Sequence, residues 1–177
     1  MSRASNVFLI GYRGTGKTSV ARQLGALRGS ESIDSDDLVE QRAGKSIAQV
    51  FADDGEQSFR AMEEEVVANL CGRRGVVVAL GGGAVMRPKT RERLATSGVV
   101  VWLTGEPATL AARIAGDTTT ADRRPSLSEM GLLAEIEQVL SQRKPIYQEC
   151  ATFVIDTEGK SPTEVAEEIE RRLSKSD

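Results

Sequence analysis

The stretch Gly11-Tyr12-Arg13-Gly14-Thr15-Gly16-Lys17-Thr18 has the spacing G-x-x-x-x-G-K-[ST], and each position has a chemical purpose. Glycines without a Cβ let successive backbone N–H groups turn inward on an anion. The lysine adds a point charge, and the hydroxyl after it suits a hard cation. The motif predicts a nucleoside triphosphate bound with Mg2+. Gly14, Thr15, Gly16, Lys17, Thr18 and Ser19 surround the phosphates, with Lys17 on the β and γ groups and Thr18 on the metal. A dinucleotide site is excluded, because Gly-Tyr-Arg-Gly-Thr-Gly does not follow G-x-G-x-x-G.

The chain contains no histidine, which removes Ser-His-Asp and Cys-His catalysis and His-ligated zinc. Carboxylates, Lys, Arg, backbone amides or a bound metal must carry the chemistry. Asp34 and Asp36 flank Ser35 at the end of a predicted second strand, where a period of two points both carboxylates to one side. Asp34 would hold the metal, directly or through water, while Asp36 accepts a hydroxyl proton or hydrogen-bonds the acceptor. Gly81-Gly82-Gly83 implies either a close backbone approach or positive φ, with amides available to line an anion or hydroxyl site. Arg60, Arg123, Arg124 and Arg143 are the cationic candidates for phosphoryl transfer, which needs positive charge on the moving group.

These residues need a scaffold, and the hydrophobic pattern supplies one. Apolar runs at Asn6 to Ile10, around Ser32 to Ser35, at Val76 to Leu80, Val99 to Leu103 and Thr152 to Asp156 read as strands. Helical spacing is read over Lys17 to Arg28, from Asp37 to about Cys71, and over Pro88 to Ser97 and Pro107 to Ile114. A further stripe from Leu132 to Leu140 is read as core packing, in a helix ending near Pro145. Ser161-Pro162-Thr163-Glu164 is a capping box leading Val165, Ile169 and Leu173 down one face. Strand and helix alternate, which implies βαβ crossovers and an α/β fold with a mainly parallel sheet covered on both faces. Ligands are expected at the carboxyl ends of its strands. Periodicity lapses between Gly116 and Ser126, which reads as a flap able to close over the nucleotide.

Composition sets the remaining limits. With 177 residues the chain suits one domain, and 23 Lys+Arg against 26 Asp+Glu give a net charge of −3. There is no basic excess to advertise nucleic acid or an anionic membrane. Cys71 and Cys150 form no CxxC, and no apolar run reaches ~18 residues, so buried free thiols in a cytoplasmic protein are expected, with a disulfide between the two left open.

The phosphate loop, Asp34-Ser35-Asp36, Gly55-Glu56-Gln57-Ser58-Phe59-Arg60-Ala61-Met62-Glu63, Gly81-Gly82-Gly83, Arg124-Pro125 and Arg143-Lys144-Pro145-Ile146-Tyr147 occur in an order that resembles the shikimate kinase family, across about residues 6 to 173. The resemblance implies a nucleoside-monophosphate-kinase-like three-layer sandwich with five parallel strands in the order 2-3-1-4-5. It implies transfer of the ATP γ-phosphate to the 3-hydroxyl of shikimate with Mg2+, on the route to aromatic amino acids, by a monomer. Asp36 then resembles the carboxylate on the shikimate hydroxyls, Arg60 and Arg143 the guanidiniums on its carboxylate, and Gly81, Gly82 and Gly83 its lining backbone. Arg113 is similar in position to an adenine-contacting arginine, Arg124 to the lid arginine on the transferred phosphate, and Asp34 to the residue holding magnesium through water. The lid would be about residues 116–127 and the acceptor-binding segment about 34–62. Arg13, Leu80 and Ser126 depart from the family pattern, and the lid is longer. Two alternatives stay open: a kinase for another hydroxy acid such as gluconate, and a nucleotide-binding regulatory module without turnover.

Overall fold

The computed structural model describes residues 5–116 and 131–175. Its strands are β1 (Asn6–Ile10), β2 (Ser32–Asp34), β3 (Val77–Ala79), β4 (Gly98–Thr104) and β5 (Phe153–Asp156). They form one parallel sheet in the order β2-β3-β1-β4-β5, as the resemblance implies. The helices are α1 (Lys17–Arg28), α2 (Ser35–Ala43), α3 (Ile47–Cys71), α4 (Pro88–Ser97), α5 (Pro107–Ala115), α6 (Leu132–Cys150) and α7 (Pro162–Lys175).

Both sheet faces are covered, and alternate residues along each strand divide between them. Val7, Leu9, Val77, Val99, Val101 and Ile155 meet α1 and α7 through Val20, Leu24, Val165 and Ile169. Phe8, Ile10, Val78, Val100 and Trp102 meet α3, α4 and α6 through Phe59, Val67, Leu70, Leu94 and Tyr147. That burial is why β1 and β4 read as continuous apolar runs rather than alternating ones. Each such side chain stabilises the fold by roughly 1.5–3 kcal/mol. Tyr12, Leu110, Ile114 and Ile136 make a smaller core that docks α5 and α6 beside the phosphate loop.

Three local expectations change. Strand β2 ends at Asp34 and α2 begins at Ser35, so the turn is one residue tighter than read from sequence. Helix α6 runs through Pro145 to Cys150 instead of ending near it. Proline removes one helical N–H donor, but Tyr147, beyond it, is completely buried in the core and hydrogen-bonded, which holds the last turn helical. On the same helix Ile136 is buried while Leu133 is 44% exposed, so the apolar stripe is only partly core. The capping box at Ser161 forms as expected, with Glu164 Oε2 accepting from Ser161 N and Ser161 Oγ accepting from Glu164 N. Cys71 and Cys150 are half-buried free thiols, and burial pushes both pKa values up. No helix among the described residues is long and apolar enough to cross a membrane.

Candidate active site

Strand β1 runs directly into the phosphate loop, where Gly11, Gly14 and Gly16 have φ of 141°, 81° and 82°. An L side chain is strained there. At Gly11 a Cβ would also stand 2.4 Å from the Leu103 carbonyl oxygen. Gly16 caps α1, so the free N–H groups and positive end of that helix open onto the loop. Buried Thr15 donates its hydroxyl to the Tyr12 carbonyl at 2.8 Å, fixing the loop's shape. The Lys17 ammonium lies within the loop, donating to the carbonyls of Gly11 and Tyr12 at 2.9 Å. Thr18 and Ser19 occupy the first turn of α1. Arg113, near the end of α5, bonds the Gly14 carbonyl at 3.4 Å and both the hydroxyl and the carbonyl of Thr157. It therefore ties the loop to the segment after β5.

The two aspartates divide differently from the sequence expectation. Asp34 is the last residue of β2 and the N-cap of α2, its Oδ1 accepting from Asp36 N at 2.9 Å. Asp36 therefore sits in the first helical turn, and a strand period does not relate the pair. The Asp34 Oδ2 accepts from the Thr18 hydroxyl at 2.6 Å. Burial pushes the Asp34 pKa up, and the nearby Asp36 and Asp37 charges add to this against the Thr18 hydrogen bond. A carboxylate that is costly to ionise, touching a hydroxyl beside the phosphate loop, is a donor pair that suits a hard divalent cation. Among the described residues no cluster of three or more His, Cys, Asp or Glu forms a metal cage.

The triple glycine is where the remaining parts meet. None of Gly81, Gly82 and Gly83 has positive φ, and at Gly82 and Gly83 close approach is the reason for the glycine. Gly81 N donates to the buried Ser35 hydroxyl at 2.9 Å, pinning the loop to the aspartate turn. A Cβ on Gly82 would stand 3.3 Å from the Gly11 carbonyl, so the loop lies against the phosphate loop. A Cβ on Gly83 would be 2.6 Å from Arg60 Nη1. Arg143 Nη1 donates to the Gly82 carbonyl at 3.1 Å. Two guanidiniums from α3 and α6 thus converge on adjacent residues of one loop.

Arg60 is held by its own helix, with Nη1 donating to buried Glu63 at 2.7 Å and Nη2 to exposed Glu56 at 3.3 Å. Burial alone would lower its pKa, but the Glu63 and Glu56 charges outweigh that and raise it, so the guanidinium stays ionised. Helix α3 breaks at Gly55, with φ 80° and ψ 169°. The glycine resets the chain direction just before Glu56 and Arg60. An open cleft lined by Glu56, Gln57, Arg60, Met86 and Arg87 leads from here to solvent.

Sequence reasoning missed several partners. Ser35 was only the spacer between two aspartates, and Thr157 carried no signal. Tyr147 stood in a family string without a role, and Glu63 ended another. Arg13, noted only as a departure, bonds Oε1 of Glu135 at 3.0 Å, with the glutamate side chain 4% exposed. That pair joins the phosphate loop to the first turn of α6. Arg123, Arg124, Ser126 and most of the expected flap lie outside the described residues.

Comparison with known proteins points to one family. A family model described as shikimate kinase matches residues 13–174. A shikimate kinase of Rhodopirellula baltica is 42% identical over 167 residues, covering 94% of this chain and 89% of the relative. The structure of a shikimate kinase from Acinetobacter baumannii in complex with shikimate superposes with a TM-score of 0.91 at 32% identity, covering 98% of this chain and 95% of that one. A gluconokinase from Sinorhizobium meliloti shares the fold, with a TM-score of 0.59 at 20% identity, covering 99% of this chain and 94% of that one. With a phosphate loop, an aspartate turn and a triple glycine joined as above, and a match spanning nearly its whole length, this chain belongs to the shikimate kinase family.

Proposed function

We propose that this chain transfers the γ-phosphoryl group of ATP to the 3-hydroxyl of shikimate. One observation carries the reading: Gly82 packs against Gly11 of the phosphate loop, while Arg60 and Arg143 converge on the Gly82–Gly83 side of the same contact. A nucleotide phosphate and a small carboxylate-bearing acceptor are thereby addressed by neighbouring stretches of backbone.

Phosphoryl transfer asks a protein mainly for positioning and charge stabilisation. The backbone amides from Gly14 to Ser19 and the N-terminus of α1 hold the phosphates, and Lys17 turns from the loop carbonyls onto the outer phosphate oxygens. Thr18 and Asp34 would hold Mg2+, the aspartate through water, and the ion would supply charge neutralisation on the phosphates. Arg60 and Arg143 grip the acceptor carboxylate with planar forks. Asp36, at the positive end of α2, orients the acceptor hydroxyl and takes its proton late in a loose transition state. The backbone of Gly81 to Gly83 lines the acceptor. Arg113 flanks the nucleotide base from its place on Thr157. Arg124, which lies outside the described residues, is the cation assigned to the moving phosphoryl group. The whole chain works as one domain and as a monomer in the cytoplasm, with the acceptor segment at about 34–62.

ADP release measured with ATP and Mg2+, with shikimate, with gluconate and with no acceptor, tests the reading. Saturable turnover with shikimate alone, and a product heavier by one phosphate, is expected. Equal turnover with gluconate sinks the acceptor assignment, and nucleotide binding without any transfer sinks the enzyme.

A further inference from the structure

We propose that the Tyr147 hydroxyl is a positioning group for the acceptor site, setting the Gly82 carbonyl and through it the Arg143 guanidinium. The proposal rests on the acceptor-binding role given to Arg143 above. Tyr147 is completely buried, and its hydroxyl donates to the Gly82 carbonyl oxygen at 2.6 Å. That same oxygen accepts from Arg143 Nη1 at 3.1 Å. The two donors are four residues apart on α6, hence on one helical face. A carbonyl has two lone pairs, so this pair of donors fills its capacity.

Occupancy of both lone pairs fixes two things together. The loop cannot rotate its carbonyl away without breaking a 2.6 Å hydrogen bond to a buried hydroxyl, which is costly to lose away from water. Arg143 is anchored through Nη1, and among the described residues its other N–H groups make no hydrogen bond, which leaves them for a carboxylate. The ring behind the hydroxyl is braced by Trp102 on β4, centroid to centroid 5.7 Å. On its other side Gly82 lies against the Gly11 carbonyl, to which Lys17 donates. Tyr147 therefore sets the distance between the acceptor's carboxylate clamp and the phosphate loop, although it touches neither substrate.

A buried tyrosine needs a partner for its hydroxyl in any fold, so the test must separate positioning from packing. Tyr147→Phe keeps the ring and removes only the donor. The expected result is a shikimate KM raised about tenfold, equivalent to ~1.4 kcal/mol, with the ATP KM within about twofold of wild type. The Tyr147→Phe, Arg143→Ala double variant is then expected to have a shikimate KM no higher than Arg143→Ala alone, because both substitutions act through one carbonyl. Trp102 is the single tryptophan, so its emission during shikimate titration gives a second, kinetics-free affinity. An unchanged shikimate KM in Tyr147→Phe, with a raised one in Arg143→Ala, overturns the proposal and leaves the acceptor reading standing. Multiplying effects in the double variant also overturn it, as does a lowered Tm with both KM values changed alike. An unchanged shikimate KM in Arg143→Ala overturns the acceptor role of Arg143 itself, and this proposal with it.

Discussion

The hydroxyl of Thr18 donates to Oδ2 of Asp34 at 2.6 Å, bridging the first turn of α1 to the end of β2. The carboxyl it meets is partly buried, and that loss of solvent holds its pKa above the ordinary 3.8. An acid whose pKa is raised by folding contributes stability below its unfolded value, and that contribution is lost as pH rises through the folded value. At neutral pH an ionised Asp34 therefore opposes folding until a cation compensates it.

Asp34→Asn is accordingly expected to raise Tm at pH 7 in metal-free buffer, with the advantage narrowing as the pH is lowered towards 4. Asparagine caps a helix as well as aspartate does, so α2 keeps its start. The same variant should need about tenfold more Mg2+ for half-maximal turnover. Thermal melts across pH and a Mg2+ titration of ADP release check both halves, and a lower Tm at pH 7 contradicts the assignment.

Asp36→Asn should reduce turnover about 10²- to 10⁴-fold while ATP affinity stays near wild type. Steady-state kinetics with an independent nucleotide titration decide this. Turnover within threefold of wild type removes Asp36 from the chemistry.

Arg60→Ala combines two losses that a second substitution separates. The missing guanidinium should raise the shikimate KM at a cost of about 2–4 kcal/mol. It also leaves the buried Glu63 carboxylate without its 2.7 Å partner, lowering stability by about 1–3 kcal/mol. Adding Glu63→Gln should recover stability but not acceptor affinity. Recovery of both by the double variant refutes a direct contact between Arg60 and the acceptor.

Gly83→Ala places a methyl 2.6 Å from Arg60 Nη1, and the guanidinium, as the far end of a flexible side chain, must move aside. The expectation is a raised shikimate KM, with Tm lowered only as far as the shift loosens the Nη1 bond to Glu63, because Gly83 has no positive φ to strain. Gly11→Ala is the contrast. Its Cβ meets the Leu103 carbonyl at 2.4 Å, with φ at 141°, so a loss of about 1–3 kcal/mol in stability is expected. Parallel melts and shikimate titrations distinguish the two.

Arg13→Met removes the partner at 3.0 Å from Glu135, whose side chain is 4% exposed. Breaking that pair should cost about 1–3 kcal/mol, less than for a fully buried pair because Arg13 retains some exposure. An unchanged Tm assigns the pair no structural weight.

Much of this protein is written in local spacing. Gly11 to Thr18 between an apolar run and a helical stripe specifies the phosphate loop, because glycine conformation and helix N-terminal charge act over a few residues. Strand and helix alternation implies a parallel sheet for the same reason, since period and burial are properties of each segment. The resemblance supplied what spacing does not, namely the order 2-3-1-4-5 and the likeness of Asp36, Arg60 and Arg143 to acceptor-binding residues. Only the tertiary structure decided which groups meet. Arg13 finds Glu135 across 122 positions and Tyr147 finds Gly82 across 65. Ser35 finds Gly81 across 46. No periodicity encodes such pairs, because they depend on which strands neighbour one another and how far each loop travels. Pro145 inside α6 and the one-residue-tighter turn at Asp34 show the same cause on a smaller scale. There burial of Tyr147 and capping by Asp34 outweigh the local signals for helix end and strand continuation.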